Sequence, residues 1–130
     1  MTSSDGGLTT FGRGVPHPRY YGTFPRKIRR YVKERGVVSL ESAIRSMTSL
    51  PAAVMGVRDR GLLVEGAFAD IVVFDLEQIR DNATYDDPHQ YASGISLVLV
   101  NGTAVVDNGD FTDALPGIVL EGLRKRNLVP

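Results

Sequence analysis

Gly66-Ala67-Phe68-Ala69-Asp70-Ile71-Val72-Val73-Phe74-Asp75 is the stretch on which the fold turns, a short apolar run between a glycine and two aspartates. Ile71 to Phe74 are consecutive, β-branched or aromatic, and too few for a helix, so they read as a strand buried on both faces. Such a strand needs partners. The comparable run is Leu97-Val98-Leu99-Val100, followed by Asn101-Gly102 and then Val105-Val106. Asn-Gly between apolar segments signals a hairpin, because both central residues of a type I′ turn need positive φ. These three strands are the expected core of a small sheet, with Leu62-Leu63-Val64 as a further strand ahead of Glu65-Gly66.

Outside the sheet, 130 residues suffice for one modest domain. The chain is 42% hydrophobic and 23% charged with zero net charge, a globular balance without an overall electrostatic pull towards nucleic acid or anionic membrane. Neither is expected as a partner. The absence of cysteine excludes disulfides and thiolate metal sites and is compatible with a reducing cytoplasm, the expected compartment. No apolar run approaches the roughly 18 residues of a membrane span. Met1-Thr2-Ser3-Ser4-Asp5 has neither the basic nor the apolar region of a signal peptide.

Residues 1–24 lack periodicity and are rich in glycine and proline, which suits either a frayed terminus or a functional loop. The polar set within them, Ser4-Asp5-Gly6 and His17-Pro18-Arg19, offers a carboxylate, an imidazole and a guanidinium for proton transfer and anion binding. From Phe24 onward, Phe24, Ile28, Tyr31 and Val32 share one helical face, with Pro25 in the first turn and Gly36 as the stop. Arg26, Lys27, Arg29, Arg30 and Lys33 on the opposite face read as a solvated surface. A second amphipathic helix runs through Leu40, Ala43, Ile44 and Met47 with Ser39 as its N-cap. A short third helix restarts at Pro51 and ends at Gly56.

Between the strands lies a polar stretch, Asp81 to Tyr91, in which Asp86, Asp87 and His89 are metal-capable types. Three such residues over four positions are a weak signal, and a solvated loop is the plainer reading. Asp107-Asn108-Gly109-Asp110 is another turn, and the basic Arg124-Lys125-Arg126 tail carries no readable chemistry. From the residues alone this is an α+β domain of unassigned activity.

A family resemblance adds to that reading. Ser4-Asp5-Gly6, His17-Pro18-Arg19, Gly22-Thr23-Phe24-Pro25-Arg26, Met47-Thr48-Ser49-Leu50-Pro51-Ala52, Asp59-Arg60-Gly61, the stretch 66–75 and Val100-Asn101-Gly102 closely resemble, in order and spacing, the C-terminal part of N-acyl-D-amino-acid deacylases. These are D-aminoacylase-like members of the amidohydrolase superfamily. The match covers most of residues 4 to about 117.

The resemblance implies a zinc-dependent hydrolase of N-acyl-D-amino acids with a TIM-like barrel and a small β-sandwich. Residues 1–56 would then be the end of the last barrel strand, an active-site loop and the final barrel helices, and residues 57–130 part of the C-terminal sandwich. By resemblance, Asp5 is the carboxylate that shuttles the proton of the metal-activated water, whose pKa zinc lowers to about 7. His17 and Arg19 fall in the family's next block and would act on the substrate side or anchor the loop.

One departure is large. Catalytic zinc needs about three protein ligands, and this chain has two histidines, no cysteine and no His-x-His pair. No metal ligand is therefore assigned and no cofactor is expected on this chain alone; the partner would be the missing barrel portion. The chain then reads as a fragment of such an enzyme, inactive by itself. The alternative is a noncatalytic interaction domain that pairs with a separate barrel chain.

Overall fold

The structure is a computed structural model and describes residues 1–120; the basic tail at 124–126 lies outside the described residues. It is α+β, with helices first and one antiparallel sheet after them. Residues 1–18 run irregularly, and α1 (Arg19–Arg26) passes directly into a π-helical segment, Lys27–Glu34. The helix therefore begins five residues before Phe24, and Pro25 lies inside it rather than in its first turn. The reason is local. The N–H groups of Tyr21 and Gly22 both donate to the Pro18 carbonyl at 3.1 and 3.0 Å, which closes a turn well ahead of Pro25. Proline has no N–H to give and its ring crowds the carbonyl one turn back. Beyond it the helix widens to the i→i−5 spacing seen at Arg35 N–H to Arg30 O, 3.1 Å.

Helix α2 (Leu40–Met47) starts where the sequence expects, with the Ser39 hydroxyl accepting from the Ser42 N–H at 3.2 Å. Helix α3 (Ser49–Met55) begins two residues before Pro51 and stops at left-handed Gly56.

The sheet comprises β1 (Ile71–Phe74), β2 (Ile95–Val100), β3 (Thr103–Asp107) and β4 (Asp110–Phe111), antiparallel and in that order. Val72 opposes Val98, which opposes Val106. Asn101 (φ 50°) and Gly102 (φ 80°) form the two-residue hairpin turn. The added Cβ of a residue at 102 would meet nothing within 4 Å, so only backbone strain opposes substitution there. Gly102→Val should lower stability by about 1–2 kcal/mol, a visible drop in thermal midpoint. An unchanged midpoint would show that this turn is dispensable.

Two expectations for the strands fail. Strand β1 is not buried on both faces: it is an edge strand paired only with β2, and Val72 and Val73 remain 53% and 46% exposed. Nothing in the described residues covers its second face. Leu62-Leu63-Val64 forms no strand either. The segment is exposed between Gly61 and Gly66, and the Ala67 N–H bonds back to Val64 O at 3.2 Å, so it turns instead of pairing.

What fastens β1 is the aspartate at each end. Asp70 accepts from the Arg60 guanidinium and, at 2.8 Å, from the Asn101 N–H, while Arg60 also bonds the Asn101 side chain and lies 4.1 Å over the Phe68 ring. One buried arginine thus joins the turn before β1 to the hairpin after β2. At the other end Asp75 accepts from the Glu77 N–H at 2.7 Å and starts the next turn.

Apolar burial is thin. Among the described residues only Ile28, Ala43, Ile79 and Ala83 are buried hydrophobics. Helices and sheet face each other across an apolar cleft of about 570 Å³, lined by Phe24, Ile28 and Ile44 on one side and Phe74, Val98 and Val106 on the other.

Candidate active site

The polar residues of the N-terminal segment converge because the segment is a closed loop. Asp5, at left-handed φ 47°, places a carboxylate oxygen 3.1 Å from the Arg19 guanidinium. Gly6 packs against Tyr20 so closely that a Cβ there would lie 3.3 Å from the Tyr20 Cα. Both ends of residues 5–19 therefore meet, an Ω-type loop with its base on the first turn of α1. The hydroxyls of Ser3 and Ser4 accept from the Asp5 and Gly6 N–H groups at 3.4 and 3.2 Å and shape the turn locally. The Asp5 carboxylate is 87% exposed. An ion pair in that much water contributes little stability, at most about 1 kcal/mol, so Arg19 orients Asp5 without burying it.

His17 sits at the other end of the loop. Its Nδ1 accepts from the Arg19 N–H at 3.0 Å, and its Nε2 lies 3.0 Å from the Tyr85 hydroxyl, the two rings edge-on. Together with Arg26 and Asp81, these residues line a cleft of about 350 Å³. Arg19 thus touches both Asp5 and His17, and the cleft that His17 and Arg19 line holds both charge signs and a phenol.

The segment 81–91 supplies groups whose part sequence reasoning missed, since it gave Asp81 and Tyr85 no role and took His89 only as a metal-capable type. Asp81 receives Arg26 at 3.0 Å and Arg29 at 2.6 Å and is only 5% exposed, so the basic helical face is tied down and not simply solvated. Lys33 likewise reaches Glu77 at 3.0 Å. His89 turns both ring nitrogens to the loop, at Gly12 and Gly14. The only sequence sign of this dock was the clustering of Asp, Tyr and His in one polar stretch.

Asp81 is electrostatically loaded. Burial pushes its carboxyl up, but the hydrogen bonds from Arg29 and Arg26 outweigh that and hold it below its ordinary 3.8. Asp70 is also held low: burial raises it, and the Asn101 N–H and the Arg60 guanidinium lower it by more. A carboxyl depressed in the folded state stabilises above its unfolded pKa and loses that contribution as pH falls through the folded value. The thermal midpoint should therefore drop as pH is lowered from about 5 towards 2. Asp81→Asn should start lower at neutral pH and show a shallower acid slope; an identical slope would remove Asp81 from the acid response.

Zinc does not fit this donor set. Both imidazoles are engaged by hydrogen bonds, and the described residues contain no group of three or more His, Cys, Asp or Glu able to hold a metal. No helix among the described residues is long and apolar enough to cross a membrane.

The amidohydrolase family model matches residues 1–106, and the chain belongs to that family. Within it, the N-acyl-D-glutamate deacylase of Alcaligenes xylosoxydans xylosoxydans is 52% identical over 90 residues, covering 69% of this chain and 18% of that protein. An aspartate-to-alanine mutant of D-aminoacylase in complex with CuCl2 superposes with a TM-score of 0.80 at 44% identity, over 82% of this chain and 23% of that one. The N-acyl-D-glutamate deacylase of Bordetella bronchiseptica, complexed with zinc and a phosphonate mimic of the tetrahedral intermediate, gives 0.69 at 49% identity, over 70% and 19%. The chain spans about a fifth of the length of these relatives.

Proposed function

We propose that this chain supplies the C-terminal segment of a metal-dependent N-acyl-D-amino-acid deacylase, in which Asp5 carries the proton. Residues 1–56 close the barrel and its active-site loop, and residues 57–130 belong to the C-terminal sandwich. The observation that supports this reading is the loop itself: a solvent-facing carboxylate, oriented by Arg19, inside the stretch matched by the family model.

Hydrolysis of an amide needs a base for the attacking water and an acid for the leaving amine. One carboxylate can do both in turn, taking the proton as the water adds and giving it to nitrogen as the C–N bond breaks. An exposed Asp5 is free to accept, and Arg19 orients its carboxylate beforehand. Arg19, at the cleft, holds the anionic end of an N-acyl-D-amino acid, and His17 anchors the loop beside it through the Arg19 N–H and the Tyr85 hydroxyl. In the relatives' class the metal would supply an activated water, and among the described residues no group of three or more ligand types assembles to hold it. The cleft between helices and sheet and the uncovered face of β1 are where the remainder of the enzyme packs.

The test is a graft. Residues 1–117 replace the matching segment of an N-acyl-D-glutamate deacylase, and hydrolysis of N-acetyl-D-glutamate is followed with zinc content measured. The graft should turn over substrate, whereas the 130-residue chain alone with added zinc should not. A folded, zinc-loaded graft without turnover, or chelator-sensitive hydrolysis by the chain alone, would overturn the proposal.

A further inference from the structure

We propose that His89 is a positioning residue, a clamp by which the segment 81–91 holds the tip of the loop that carries Asp5, His17 and Arg19. For its catalytic meaning this rests on the reading of Asp5 given above; the clamp itself is read without any activity.

The loop base is closed by Asp5 and Arg19, but its tip, a turn in which the Arg13 N–H donates to Thr10 O at 3.0 Å, lies far along a glycine-rich backbone. Ordering such a segment costs roughly 1–2 kcal/mol of conformational entropy per residue, which local turns alone do not offset. His89 provides three anchors. Its Nδ1 accepts from the Gly12 N–H at 3.1 Å and lies 2.9 Å from the Tyr21 hydroxyl, and its Nε2 is 3.1 Å from the Gly14 carbonyl.

These partners assign the tautomer. The Gly12 N–H points at Nδ1 and an acceptor faces Nε2, so the neutral ring carries its proton on Nε2, and the Tyr21 hydroxyl shares the single Nδ1 lone pair with Gly12. The Tyr21 phenol is protonated at neutral pH as any tyrosine is, and its pKa is raised further by burial first and Tyr91 second.

Phe11, beside Gly12, adds apolar support. It stacks on Tyr91 with centroids 5.0 Å apart at 18°, and meets Tyr21 and His89 edge-on at 6.2 and 5.5 Å. Tyr91 in turn rests on Phe111 of β4 at 4.6 Å. The loop tip is therefore tied to α1 through Tyr21 and to the sheet through Tyr91. His17 on Tyr85 is a second strut from the same segment. Catalytic groups must be held within a fraction of an ångström, and the contacts of His89 and Phe11 connect the loop tip to α1 and to the sheet.

The experiment is amide exchange and backbone relaxation by NMR on the full 130-residue chain. In the wild type the Gly12 amide should be protected and residues 5–14 should be nearly as rigid as the helices. His89→Phe keeps the ring stack and removes the acceptor, so Gly12 should exchange at least about tenfold faster and order parameters over 5–14 should fall below about 0.6. The amides of Val98 and Val106 report on the fold and should not change. His89→Asn, whose side-chain oxygen can take the place of Nδ1, should recover part of the Gly12 protection. Equal Gly12 exchange in wild type and His89→Phe would overturn the clamp. So would a parallel loss at Val98 and Val106, which would make His89 a general stability residue. An inactive graft with Gly12 still protected would fail the deacylase reading and leave the clamp standing.

Discussion

Asp5→Asn, introduced into the deacylase graft, should lower the single-turnover rate by on the order of 10²–10⁴ while leaving zinc content and thermal midpoint unchanged. The substitution is close to silent structurally. Asn tolerates the left-handed backbone that Asp5 adopts at φ 47°, and its amide oxygen can still accept from Arg19. It cannot accept the water proton, and that single loss is what the rate reads. Asp70→Asn is the contrasting variant, since its carboxylate holds Arg60 and Asn101 and touches no part of the loop. It should lower the thermal midpoint with little change in rate at equal zinc occupancy. Full activity in Asp5→Asn together with loss in Asp70→Asn would move the chemistry from the loop to the strand.

Gly94→Ala should be the most destabilising single methyl in the chain among the glycines described. Gly94 has φ 79°, and a Cβ there would stand 2.5 Å from both the Gln78 carbonyl carbon and the Ile79 nitrogen. Both obstacles are backbone and cannot rotate away. Left-handed strain of about 1–2 kcal/mol adds to an overpacking cost of about 1–3 kcal/mol, so a loss near 3 kcal/mol is expected. For a domain of this size that is roughly 10 °C in thermal midpoint. The damage has a defined location. The Gly94 carbonyl accepts from the Asp75 N–H at 2.9 Å, and Ser93 bridges to Arg80 at 3.0 and 3.1 Å, so the contact that starts β2 beside the end of β1 would open. Gly102→Ala supplies the control, because it carries the backbone strain without any clash. A midpoint for Gly94→Ala no lower than that of Gly102→Ala would show that the close approach at Gly94 is not maintained in solution.

The hairpin and the second helix were legible in the residues. Asn101-Gly102 announces its turn because positive φ at two successive positions is a steric demand that few residue pairs meet. Ser39 announces its helix because a hydroxyl is needed at an otherwise unpaired N–H. Ser4-Asp5-Gly6 and His17-Pro18-Arg19 could be singled out because their chemistry is carried by residue type. Each of these signals is local, and local signals survive without tertiary context.

What the residues could not convey was distance across the chain. An apolar run such as Ile71–Phe74 reads as buried on both faces whether or not a second layer covers it, and here only the tertiary arrangement reveals an edge strand. Proline at 25 suits a first turn by rule, yet the Pro18 carbonyl captures two earlier N–H groups and starts the helix sooner. Above all, the meeting of Asp5 with Arg19, of His17 with Tyr85 and of Gly12 with His89 joins positions up to 77 residues apart. The sequence by itself determined which groups are present and the turns and caps beside them. Only the folded chain decided which of those groups face one another, since hydrogen-bond partners are selected by packing and not by spacing along the backbone.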